Sequence, residues 1–281
     1  MERRVRAMYF SGTGTTAKVV TAVAYEMWEA LHENDGNVKY TKAPNINFTP
    51  KTARQKQYEF DENDIVVFGT PVIAGRVPNV LLKFLDTLRG DGAMAIPVVV
   101  YGNRDFDDAL IELRNILEDK GFHTIAAAAF IGEHSFSQTL AEGRPDGEDM
   151  ELASNFAEKC ADKIISVPDL TLAVKVDGNE PLRPYYQPTD RKGVHIDILK
   201  VKPKLDETKC NQCGMCVELC PMGSIKKETP GHVEGICIKC CGCVKKCPQQ
   251  ALYFDDPGYL YHKEELELGY AERKSPKLFL D

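Results

Sequence analysis

Val5-Arg6-Ala7-Met8-Tyr9-Phe10-Ser11-Gly12-Thr13-Gly14-Thr15-Thr16 is a short apolar run that stops abruptly in a turn of glycines and hydroxyls. It reads as a buried strand entering a tight turn. From Ala17 to Leu31 the apolar residues Val19, Val20, Val23, Ala24, Met27, Trp28 and Leu31 recur at spacings of three and four, which predicts a helix with one inward face. Strand, Gly/Thr turn and helix together form a phosphate-holding layout. The helix N-terminus offers backbone N–H groups, and Ser11, Thr13, Thr15 and Thr16 add hydroxyl donors. An ordinary polar turn is the competing reading while the segment stands alone. The nucleotide P-loop is absent, because no Gly-Lys-Ser/Thr follows. Gly12-x-Gly14-x-x-Ala17 also fits the dinucleotide fingerprint. That reading needs an acid near the end of the second strand, yet Val38–Thr41 runs into Lys42-Ala43-Pro44-Asn45.

Moving outward, the same alternation continues. Ile65–Phe68, a helix opening at Pro78, Ile96–Tyr101, a helix from Asp107 to Lys120, Thr124–Ile131 and a helix from about Glu148 to Ile165 predict a parallel sheet covered on both faces. Two further loops follow the next two strands: Gly69-Thr70-Pro71-Val72-Ile73-Ala74-Gly75-Arg76-Val77-Pro78 and Tyr101-Gly102-Asn103-Arg104-Asp105-Phe106. All three loops open on the C-terminal edge of the sheet, where open α/β folds bind ligands.

In these three loops the chain resembles the flavodoxin family over about residues 3 to 165. The resemblance implies a doubly wound, five-stranded parallel sheet and an FMN cofactor. It implies that Ser11, Gly12, Thr13, Gly14, Thr15 and Thr16 hold the phosphate. Thr70, Pro71, Val72, Ile73, Ala74, Gly75 and Arg76 would then flank the ring on one side, and Tyr101, Gly102, Asn103, Asp105 and Phe106 on the other. Many flavodoxins carry an aromatic residue in the second loop, where this chain has Ile73, so stacking would rest on Tyr101 or Phe106, or one ring face would stay open. Asp105, Asp107 and Asp108 would lower the flavin potential. Arg76 would oppose them if it reached the ring, and would otherwise be a solvated surface residue. Glu133-His134-Ser135 and Arg144-Pro145-Asp146 read either as a contact surface or as a helix-capping loop.

Cysteine usage divides the chain. Of ten cysteines, Cys160 alone precedes Cys210, and it shares a helical face with Leu152, Phe156 and Ile164 as a core residue would. The others lie between Cys210 and Cys247 as Cys210-x2-Cys213-x2-Cys216-x3-Cys220-Pro221 and Cys237-x2-Cys240-x2-Cys243-x3-Cys247-Pro248, with Cys241 out of register as a spare thiol. Each run matches the bacterial ferredoxin spacing: three thiolates on one tight loop wrap three corners of a cubane, and the fourth departs with its Pro turn to the other cluster. Structural zinc sites pair two cysteines with two distant ligands and fit this spacing poorly. The resemblance to two-cluster ferredoxins assigns Cys210, Cys213, Cys216 and Cys247 to one [4Fe–4S] cluster, and Cys237, Cys240, Cys243 and Cys220 to the other. Gly214 and Gly242 permit close approach, and Met215, Val217, Leu219, Ile236, Ile238 and Val244 are placed to exclude water.

The expected organisation is an α/β flavodoxin-like domain over 1–166, a Pro/Gly-rich connector over 167–204, a small α+β 2[4Fe–4S] ferredoxin-like domain over 205–261, and a tail over 262–281 whose Leu278-Phe279-Leu280 anchors onto one of the domains. The net charge is −7, from 35 Lys plus Arg against 42 Asp plus Glu, and every apolar run falls far short of a membrane span. Nucleic-acid and membrane roles are therefore not expected. The N-terminus, Met1-Glu2-Arg3-Arg4-Val5-Arg6, does not read as a signal peptide, and a cytoplasmic protein is expected.

Joined together, the two halves resemble a flavodoxin–ferredoxin fusion. That implies electron transfer between two [4Fe–4S] clusters and FMN, and onward to a redox partner protein. A reductase of a small-molecule acceptor, with the clusters feeding the flavin, is the alternative, and a redox sensor is a third. No acid, base or nucleophile specific to a substrate is visible. A dimer would be needed if one chain held the centres too far apart.

Overall fold

The computed structural model describes residues 2–281. The elements in chain order are β1 (Glu2–Tyr9), α1 (Thr15–Asn34), β2 (Lys39–Lys42), β3 (Ile46–Asn47), β4 (Asp64–Pro71), α2 (Asn79–Leu85), β5 (Met94–Tyr101), α3 (Ala109–Asp119), β6 (His123–Thr124), β7 (Ala127–Ile131), α4 (Gly147–Ser166), β8 (Lys204–Leu205), α5 (Met215–Leu219), α6 (Gly242–Lys245), β9 (Leu252–Tyr253), α7 (Pro257–Gly269) and β10 (Lys277–Phe279).

The main sheet runs β10-β7-β5-β4-β1-β2, with β3 beside β1 and β6 beside β5. Its five long positions, β2-β1-β4-β5-β7, are parallel and follow the flavodoxin-like order 2-1-3-4-5. The sheet is not purely five-stranded and parallel. β10 adds an antiparallel edge, with Lys277, Leu278 and Phe279 opposite Ala129, Ala128 and Ala127. The long central strands are almost continuously buried because helices cover both faces.

One core lies under α1 and α4, where Val19, Val20, Met27, Leu31 and Phe156 are fully buried. Each such side chain contributes about 1.5–3 kcal/mol of apolar burial. Gly69 lets α1 settle on β4, since a Cβ there would stand 2.2 Å from Val20 Cγ2. Cys160 sits in this core, and burial pushes its thiol well above the usual range. The second core lies under α2 and α3, around Phe48, Phe68, Leu81, Leu110 and Leu113. The tail joins both cores: Leu278 and Leu280 pack on the first, Phe279 on the second.

Between α4 and β8 the connector forms no strand. It runs back over the sheet's C-terminal edge as a strap. The buried Asp108 carboxylate receives bonds from Asn179 N–H and Nδ2 at 3.2 and 2.8 Å, and from Arg183 N–H and Nη2 at 2.7 and 3.0 Å. Beyond it, β8 and β9 form a small antiparallel ribbon that brackets the cysteine loops and their short helices α5 and α6. Among the described residues no helix is long and apolar enough to cross a membrane.

Candidate functional site

The first loop leaves β1 at Phe10 and enters α1 through Gly14, whose φ of 104° places it in the left-handed region. Ser11 Oγ accepts from the N–H groups of Gly14 and Ala17, both at 3.1 Å, so this hydroxyl is spent on shaping the turn. Among the described residues, the N–H groups of Gly12, Thr13, Thr15 and Thr16 have no acceptor within the chain. They open a helix of 20 residues that carries no acid in its first turn. An anion is the partner such a terminus stabilises. At the end of β4, Thr70 is wholly buried and its Oγ1 has no partner either. This donor set fits a phosphate-bearing group such as FMN.

The ring-flanking residues are disposed differently from expectation. Arg76 is neither beside an open edge nor solvated: its guanidinium forms a two-point pair with the buried Glu112 carboxylate, at 2.8 and 2.6 Å, and lies over the Tyr185 ring at 4.9 Å. Pairing with Glu112 weakens the field this charge exerts on its neighbours. Tyr101 and Phe106, at 5% and 4% exposure, pack on each other in the second core, so neither presents a face for stacking. Asn103 is buried and holds the tail, with Nδ2 donating to the carbonyls of Tyr270 and Glu272 at 2.6 and 2.7 Å. Of the three acids, Asp107 pairs with Arg104 and Asp108 with Arg183, leaving Asp105 exposed. Pro71, Val72, Ile73, Ala74 and Gly102 are half-buried, while Gly75 is buried against Asp107. The strap covers the second loop, with Tyr186 N–H donating to Ala74 O at 2.8 Å.

The cysteines gather in two cavities. Cys210, Cys213, Cys216 and Cys247 line one with Leu205 and Met215. Cys220, Cys237, Cys240 and Cys243 line another with Ile238 and Phe254. The fourth cysteine of each run therefore crosses to the other cavity. Among the described residues no three Cys, His, Asp or Glu side chains converge as a single metal ion requires. The donor set, thiols with a mostly apolar lining, suits iron–sulfur ligation.

Burial pushes the Cys240 thiol up to about 11 and Cys243 higher still, so iron must displace protons to bind there. Cys241 lines the second cavity, but its Sγ is turned to Lys239 O at 3.3 Å and the Tyr259 hydroxyl at 3.6 Å. The water-excluding sleeve is incomplete: Met215 and Ile236 are 40% and 66% exposed.

The second cavity lies directly on the first loop. A Cβ on Gly12 would stand 2.8 Å from Cys240 Cβ, and one on Gly242 only 2.4 Å from Gly12 O. Two glycines facing each other thus allow backbone-to-backbone approach. Lys245, one residue past Cys243-Val244, secures the contact. Its ammonium reaches across to the Glu133 carboxylate and to the carbonyls of His134 and Ser137, at 2.7 and 2.6 Å. The 133–137 segment is therefore a contact surface between the halves.

His134 packs against Gly102, and burial together with the nearby Lys245 charge holds it down at about 4. The ring is neutral, with Nδ1 accepting from Phe136 N–H at 3.1 Å. Lys245 was not singled out from sequence. The run between Cys243 and Cys247 holds two cations, Lys245 and Lys246, and nothing in the sequence separates them.

Residues 203–226 match a family model described as "4Fe-4S binding domain". No curated protein matches the sequence. Among solved structures, a flavodoxin from the domain Archaea is 16% identical over 57% of this chain and 98% of its own, with a TM-score of 0.39. The Streptococcus pneumonia TIGR4 flavodoxin is 17% identical over 57% and 99%, TM-score 0.34. An azoreductase from Bacillus anthracis str. Sterne is 15% identical over 57% and 99%, TM-score 0.36.

Proposed function

We propose that this chain is an electron-transfer iron–sulfur flavoprotein. It would carry two [4Fe–4S] clusters on its crossed cysteine sets and FMN at the sheet edge, and would exchange electrons with a redox partner protein. One observation carries the reading: a four-cysteine cavity lies against the anion-ready loop, with Cys240 on Gly12. The bound groups would supply the electron acceptors and donors. FMN can also link a two-electron step to one-electron carriers.

The chain's own part is to bind, orient and exclude water. The eight thiolates would hold iron, and Pro203, Leu219, Ile238 and Phe254 shield the second cavity. The free N–H groups of Gly12, Thr13, Thr15 and Thr16 would hold the FMN phosphate, and Lys245 fixes the distance between the halves. Because Cys240 meets Gly12 within one chain, electron passage needs no second copy. The strap over the second loop favours the relay over a small-molecule reductase, since it occupies the flank an acceptor would approach.

Anaerobic purification with iron, acid-labile sulfide and flavin assays tests this. Roughly eight irons and sulfides and one FMN per chain are expected, with cluster signals in low-temperature spin resonance after reduction. Bound zinc, four irons, or no flavin would overturn it.

A further inference from the structure

The loop after β7, residues 132–146, borders both ends of the site that FMN would occupy, and no expectation placed any of its residues on the cofactor. On the reading that FMN binds at this sheet edge, we propose that His134 is a further cofactor-binding residue, whose Nε2–H donates a hydrogen bond to an acceptor on the FMN ring.

Two glycines fix the placement. A Cβ on Gly132 would stand 3.0 Å from Thr15 Cβ and 3.1 Å from its Oγ1, so the loop begins against the phosphate-holding turn. A Cβ on Gly102 would stand 2.3 Å from His134 Cδ2, so the imidazole lies against the third loop, one of the two expected to flank the ring. Two residues therefore carry the chain from the phosphate end of the site to its ring end.

The tautomer follows from the partner on the other side of the imidazole. Nδ1 accepts from Phe136 N–H at 3.1 Å, so the single proton of the neutral ring sits on Nε2. Burial and the Lys245 charge keep the ring neutral. Nε2 adjoins Cδ2, the atom beside Gly102, and among the described residues it has no acceptor within the chain. The donor is thus free at the edge of the third loop.

Its position is held from several directions. His134 N–H donates to Leu140 O at 3.1 Å, its carbonyl receives the Lys245 ammonium at 2.7 Å, and Phe136 stands edge-on to the imidazole at 5.4 Å and 86°. Lys245 belongs to the cysteine region, so the half that would carry the clusters also steadies the residue that would meet the flavin. FMN offers ring carbonyls and unprotonated ring nitrogens as acceptors, and these gain electron density on reduction. A neutral donor strengthens its bond as that happens and so raises the flavin potential without a permanent charge beside the ring. The N–H is shared, and no proton changes hands.

Comparison of the anaerobic parent holoprotein with His134→Phe and His134→Gln tests this. Phenylalanine keeps the bulk and loses the N–H, whereas glutamine keeps an N–H of similar reach. His134→Phe is expected to raise the FMN dissociation constant roughly three- to ten-fold, read from the fluorescence of flavin released on dilution, as the loss of one hydrogen bond would. It should also move the flavin midpoint potential to more negative values and shift a ring carbonyl or C=N band in the redox-difference infrared spectrum. His134→Gln should stay near the parent in all three, and the cluster spin-resonance spectra should be the same in all the proteins.

An unmoved potential and infrared spectrum in His134→Phe would place the N–H on solvent and overturn the proposal. Equal changes in both variants would reduce the residue to packing against Gly102, and altered cluster spectra would show that it acts through the Lys245 contact; either result also overturns it. A parent protein that carries its clusters but no FMN would overturn the reading on which the proposal rests, a result distinct from the others.

Discussion

Arg76 illustrates how a side chain's role is set by what it meets. Read in sequence, it sits in a loop at the ligand edge. In the fold, Glu112 on α3 turns toward it, and the pair is shared with the Val77 N–H at 2.8 Å. With side-chain exposures of 13% and 5%, neither charge is well hydrated. Removing one partner leaves the other buried and unpaired, so Arg76→Ala should lower unfolding stability by about 3–5 kcal/mol. A denaturant titration reads this as an earlier midpoint with unchanged slope, while flavin content stays at the parent level. An unshifted midpoint would show that the pair is not holding α3 to the second loop. Nothing in the sequence separates this arginine from a flavin-facing one, because its partner lies 36 residues away.

At the scale of elements, the periodic segments were legible. The apolar strands at 65–68 and 96–101 and the α1 stripe lie where the pattern predicts, because burial on one face imposes a period on residue order and burial on two a continuous apolar run. The crossed cysteine sets were legible only through the resemblance to two-cluster ferredoxins. The strap and the tail were legible only as Pro-rich and apolar segments, since their anchors are single polar contacts to distant loops.

The Asp108 clasp makes the strap pH-sensitive. Burial raises the carboxyl's pKa, but the hydrogen bonds from Arg183 and Asn179 and the guanidinium charge outweigh it, and hold it far below the ordinary carboxylate range. A depressed folded-state value means the stabilisation is complete above the unfolded value of about 3.9 and fades as pH falls below it. Amide exchange at Asn179 and Arg183, whose N–H groups donate to this carboxylate, should stay protected at pH 5, lose only part of that protection by pH 3 and the rest in stronger acid, after correction for intrinsic rates. Asp108→Asn should be unprotected at both. Equal protection in the parent at both pH values would refute the clasp.

For the whole molecule, the decisive contact is between Gly12 and Cys240. Valine at position 12 would overlap the Cys240 side chain, and overpacking of this kind costs about 1–3 kcal/mol. The parent holoprotein should melt in one calorimetric transition, because Lys245, the Asn103 clasp on residues 270–272 and β10 also bind the two halves together. Gly12→Val should melt earlier and as two resolved events. Two independent transitions in the parent would mean that the halves are merely tethered.

The antiparallel strand β10 has a consequence for synthesis. Residues 277–279 complete the edge of a sheet whose other strands all lie before residue 132, so the cysteine segment is an excursion between two visits of the chain to one body. During translation the bare flank of β7 waits until every cysteine has left the ribosome. Acquisition of iron and closure of the sheet are thereby placed in the same late window, with an unpaired strand edge open to chance association until then.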